Sequence, residues 1–82
     1  MVKKELIGII LKEIEKGNDE KITENTFKVS KDEFFNALEI TLDEKFIKDI
    51  QFFRNGQENK IQQYVGTPKL TLKGIEYLED NF

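Results

Sequence analysis

Phe46-Ile47-Lys48-Asp49-Ile50, Asn55-Gly56 and Leu70-Thr71-Leu72-Lys73-Gly74 mark the joints of the stretch 46–81, which decides the fold. Ile47 to Phe53 is rich in β-forming residues, and Lys60 to Val65 supplies a returning strand. Between them, Arg54 to Asn59 is wholly polar and contains Asn55-Gly56, a dipeptide that tolerates positive φ. Gly66-Thr67-Pro68 is expected to end the hairpin, and Thr71 to cap a last helix. Leu70 and Ile75 fall at the N′ and N4 positions of a hydrophobic staple, with Leu72, Ile75 and Leu78 facing the core and Tyr77 beside them.

Three helical segments precede the hairpin. From Val2 to Lys16, Leu6, Ile7, Ile10, Leu11 and Ile14 form one apolar stripe, and Gly17-Asn18 stops the helix. Gly8 suits a close contact, while Ile9 lies off the stripe. Asn18 to Lys21 reads as polar loop. Ile22 to Val29 reads as a shrunken second helix capped by Thr23, with a short strand through Phe27 and Val29 as the alternative. Ser30-Lys31-Asp32-Glu33 is a capping box opening a third helix that runs to about Lys45. Its inward stripe is Phe34, Leu38, Thr41 and Leu42, widened by Phe35 and Ala37.

The 82 residues suit one domain, 1–82, whose economical core leans on seven Phe and two Tyr. Cys and His are both missing, which removes disulfides, thiol chemistry and the commonest zinc ligands and general base. Carboxylates are plentiful, but no phosphate loop, nucleophile elbow or metal-ligand cluster is formed, and Asp43-Glu44 reads as helix-end surface charge. The expected class is therefore non-enzymatic, with no catalytic residue, metal or cofactor. Glu5, Glu13 and Glu15 interrupt the first apolar run, so neither a secretory signal nor a membrane span fits and the expected location is cytoplasmic.

The order helix, eroded helix, capped helix, hairpin wing and closing helix is α+β and resembles a winged helix-turn-helix. The closing run Leu70 to Asn81, with its Thr-x-x-Gly-x-x-Tyr-Leu pattern, and the link Phe46 to Ile50 look like the small YjcQ-type family of bacterial and prophage-encoded proteins. The resemblance runs from about Lys4 to Asn81. It implies this fold and a phage or prophage context, and no activity.

The preferred reading is a binding module for a protein partner or a second copy of itself, as a homodimer. Phe52 and Phe53 cannot both face one core, because strand side chains alternate. The alternative is a DNA-binding regulator using the wing and third helix. Lys31, Asn36, Lys48, Arg54, Asn55, Gln57, Asn59, Lys60 and Lys69 are the candidate contacts for either ligand. Two features disfavour DNA: a net charge of −3, and a third helix carrying Asp32, Glu33, Glu39, Asp43 and Glu44.

Overall fold

The first three helices of this chain are closed by the same backbone device. The computed structural model describes residues 3–82, so Val2, assigned above to the first helix, lies outside them. Helix α1 spans Lys3–Lys16 and buries Leu6, Ile7, Gly8, Ile10, Leu11 and Ile14. Gly17 follows at φ 79, donating to the Ile14 carbonyl while Asn18 donates to that of Glu13. Helix α2 is the single turn Glu24–Phe27, and Lys28 closes it at φ 56. Helix α3 spans Lys31–Asp43, and Lys45 ends it at φ 64 while the Phe46 amide donates to the Thr41 carbonyl. Each left-handed residue turns an amide back onto carbonyls the helix leaves unpaired.

Several expectations are corrected here. Within Ile22 to Val29 the preferred shrunken helix is present as Glu24–Phe27, and the strand alternative falls. Thr23 occupies the cap position of α2 without a side-chain bond to the helix; its hydroxyl lies 3.5 Å from that of Thr26. Asp19–Lys21, read as loop, forms a 3-10 turn that delivers the fully buried Ile22. Helix α3 stops before Lys45 because the left-handed backbone there is incompatible with another turn. Leu42 is only half-buried, whereas Phe34, Phe35, Ala37, Leu38 and Thr41 are buried. The Ser30 hydroxyl accepts from the Glu33 amide at 3.1 Å and donates to the Glu33 carboxylate at 3.3 Å. The capping box therefore closes between the two side chains.

Strands β1 (Ile47–Arg54) and β2 (Ile61–Leu70) form one antiparallel pair. Their register pairs Ile47 with Leu70, Lys48 with Lys69, Ile50 with Gly66, Phe52 with Tyr64 and Arg54 with Ile61. Gly66-Thr67-Pro68 does not end the hairpin; it lies within β2. An irregularity between Lys48 and Ile50 is absorbed by Asp49 at φ 69 and Gly66 at φ 104, and a Cβ on Gly66 would collide with the Asp49 carbonyl oxygen. This bulge lets both Ile47 and Ile50 turn inward, at 2% and 8% exposure.

Helix α4, Leu72–Asn81, docks through a face different from the one expected. A Cβ on Gly74 would overlap the Phe46 carbonyl oxygen and lie 3.0 Å from its carbon, so the helix meets the backbone of the α3–β1 link there. Tyr77 stacks on Phe46 with ring centroids 4.5 Å apart, and Leu78 is buried. That contact rotates Leu72 outward to 71% exposure and Ile75 to 38%, overturning their assignment to the core. Thr71 holds the joint. Its amide donates to the Phe46 carbonyl at 2.9 Å, its hydroxyl donates to the Lys45 carbonyl, and it accepts from the Gly74 amide at 3.1 Å. The Thr-x-x-Gly-x-x-Tyr-Leu pattern is thus a docking device.

The arrangement is α+β and winged-helix-like: three helices, a two-stranded hairpin and a closing helix. The helices and the inner face of the hairpin share one core, with Phe34, Ile10, Leu11, Ile22, Leu38 and Ile47 deepest.

Candidate functional site

The hairpin has an inner and an outer face, and the candidate contact residues divide between them. On the inner side, the distal hairpin folds back towards α3 and encloses a groove of about 270 Å³ lined by Asp32, Phe35, Asn36, Glu39, Arg54, Lys60 and Ile61. Arg54 forms an ion pair with Glu39 through Nη2, and its Nη1 donates to the Asn59 carbonyl at 3.0 Å. Lys60 Nζ lies 3.9 Å from carboxylate oxygens of both Asp32 and Glu58. Lys31 sits over the Phe35 ring, 5.9 Å from its centroid. The structure therefore brings Asn36, Arg54 and Lys60 together with the Asp32 and Glu39 carboxylates of α3, while Lys31 lies over Phe35 outside the groove lining. Both cations that line the groove are already paired.

The tip uses its polar residues to build itself. Asn55 Oδ1 accepts from the amides of Gln57 at 2.8 Å and Glu58 at 3.3 Å, starting a turn that the Asn59 amide closes on the Asn55 carbonyl at 2.8 Å. Asn59 takes the positive φ, at 57°. Neither Asn55 nor Gly56 does, contrary to the reading of that dipeptide. Gln57 is exposed and donates its amide to this turn.

Lys48 and Lys69 are placed elsewhere. They face each other across the base of the hairpin and are both exposed. Their neighbours on the outer face are Gln51 opposite Val65 and Phe53 opposite Gln63, all exposed. Phe52 is half-buried against the core, so alternation sends Phe53 to solvent at 49% exposure, with Val65 at 42%. Gln51, Phe53, Gln63 and Val65 were not among the expected contacts. The Phe52-Phe53 pair signalled that one ring faces away, but register alone identifies its neighbours.

Tyr64, on the inner face, donates from its hydroxyl to the Ile22 carbonyl at 3.0 Å. Burial raises its pKa above the ordinary 10.0, and the nearby Asp19 adds to the effect. A second, more apolar groove of about 340 Å³ lies between the end of α1, β2 and α4, with Ile14, Pro68, Leu70 and Ile75 in its walls. Among the described residues, no group of three or more Cys, His, Asp or Glu side chains is placed to hold a metal, and no helix is long and apolar enough to cross a membrane.

Compared with known proteins, residues 9–82 match the family model described as YjcQ protein. No curated protein and no solved structure matches the chain.

Proposed function

This chain belongs to the YjcQ protein family, and from that premise we propose that it is a non-enzymatic binding module whose ligand is a protein. The observation that carries this reading is the pairing of Arg54 with Glu39 and of Lys60 with Asp32. A DNA-binding wing needs its cations free for phosphate, and here the would-be recognition helix supplies carboxylates that compete for them, Glu39 at Arg54 and, in an exposed 3.9 Å pair, Asp32 at Lys60. The exposed part of α3 and its end adds Glu33, Asp43 and Glu44, which repel a polyanion. At the tip, Asn55 is held by its side-chain oxygen and Asn59 by its main chain, both engaged in building the turn. The setting that goes with this proposal is the bacterial cytoplasm, with a phage or prophage origin.

Titration of the isotopically labelled protein with mixed-sequence duplex DNA at low salt tests the reading. The expected result is no amide shift at high micromolar DNA. Shifts confined to α3 and residues 54–60 that fade as salt rises would overturn it in favour of DNA.

A further inference from the structure

We propose that the outer face of the hairpin is the docking surface for the protein ligand, and that it takes an acidic extended segment carrying an apolar side chain. This rests on the protein-binding reading above and names its partner class. Lys48 and Lys69 are directly opposed in the ladder, where Cβ atoms stand about 5 Å apart and like charges destabilise the pair. Among the described residues, neither lysine has a carboxylate within 4.0 Å; most lysines of the chain share that state, and what sets these two apart is that they face each other at one ladder position. Asp49, the only acidic residue of either strand, sits at the bulge and pairs with neither lysine. An acidic side chain laid between the two ammonium groups removes their repulsion and gains two charge-assisted bonds.

Further along the face, Phe53 and Val65 are diagonal neighbours, since Phe53 pairs with Gln63 two residues before Val65. At 49% and 42% exposure they offer an aromatic and a β-branched side chain to an apolar anchor. Gln51 and Gln63 lie between charge and ring and can bond a passing backbone. The face from Lys48 to Phe53 is roughly 17 Å long at about 3.3 Å per residue step, the span of a short extended peptide. Nucleic acid fits less well. Two lysines neutralise about two phosphates, where duplex binders commonly make six to ten such contacts, and the net charge of −3 opposes the rest.

The test uses the full labelled chain and a capped peptide with an aspartate block followed by a leucine block. Amide shifts are expected at Lys48 to Phe53 and Gln63 to Lys69, weakening with salt, and absent when the acidic block is replaced by lysines. Lys48→Glu should weaken binding roughly tenfold or more while its melting temperature holds or rises, because the introduced carboxylate would attract Lys69. Phe53→Ser should weaken binding without altering the fold, read by the unchanged shifts of Ile10, Leu38 and Ile47. No shift at millimolar peptide, or shifts only in the α3 groove or beneath α4, would overturn the proposal. So would a stronger response of the same amides to duplex DNA, or their movement on self-association by sedimentation. If peptide and DNA are both silent, the surface is wrong while the protein-binding reading survives.

Discussion

Gly8 and Gly74 both sit where a Cβ would strike something, yet their replacement by Ala should differ sharply. At Gly8 the obstacle is the ring of Phe82, the far end of a side chain that is 45% exposed and held only by Tyr77 and Lys12 beside it. At Gly74 it is the Phe46 carbonyl, a backbone group fixed by the Thr71 amide. Gly8→Ala should therefore be near neutral or up to about 1 kcal/mol stabilising, from helix propensity. Gly74→Ala should cost about 2–3 kcal/mol, because α4 must lift from the link. Urea denaturation of the two variants checks both signs. Tyr64 carries the pH-dependent term. Its raised folded pKa means that the fold favours the neutral ring, so this contribution is complete below the ordinary value of 10.0 and is lost as pH rises through the folded value. Tyr64→Phe should cost about 1 kcal/mol at neutral pH, by stranding the Ile22 carbonyl. It should also flatten the fall in stability above pH 10, which denaturation at a series of alkaline pH values would reveal.

At the scale of elements, the two capped helices carry different burdens. The Ser30 side chain bonds only to Glu33, at the exposed start of its own helix. Thr71 caps α4 and also ties it to the Lys45 and Phe46 carbonyls, so one residue fixes both the start and the position of that helix. Ser30→Ala should cost about 1 kcal/mol. Thr71→Val, which keeps the shape and removes the hydroxyl, should cost about 2 kcal/mol through the cap and the lost bond to Lys45. Thermal or urea unfolding separates them. Both caps were legible in the sequence, as Ser30 with Glu33 three residues on and Thr71 between the staple residues Leu70 and Ile75. Thr23 reads the same way and makes no side-chain cap. The rotation of α4 was not legible. Leu72, Ile75 and Leu78 fit a helical stripe, but Gly74 has no hydrophobic signal and its contact with Phe46 outweighs theirs. The same limit applies to β2. Gly66 and Pro68 read as punctuation, and only the opposing bulge at Asp49 makes them part of a strand.

Across the whole molecule, burial is concentrated at one end of the hairpin. Ile47 and Ile50 are in the core, whereas residues 56–60 are all exposed, and the tip is tied to α3 at the surface through Arg54 and Lys60. Hydrogen exchange should therefore find the ladder amides near Ile50 opening only with the core, while those flanking the tip open locally and sooner. Added salt should accelerate the tip amides preferentially, by screening Arg54–Glu39 and Lys60–Asp32. Equal protection along the hairpin, unaffected by salt, would contradict this. The order of elements, their caps and the α+β class follow from local patterns, because apolar period, capping residues and turn residues act over a few neighbours. The candidate contact residues were legible as a set of polar and basic positions, but their division was not. Arg54 and Lys60 meet the carboxylates of α3, while Lys48 and Lys69 meet each other, because a bulge and a register set distances between residues far apart in the chain. The residues around 46–81 thus determined by themselves that a hairpin and a docked helix would form. Only the tertiary structure decided which cations are already paired and which face of the hairpin is left exposed, since pairing of charges depends on separation in space.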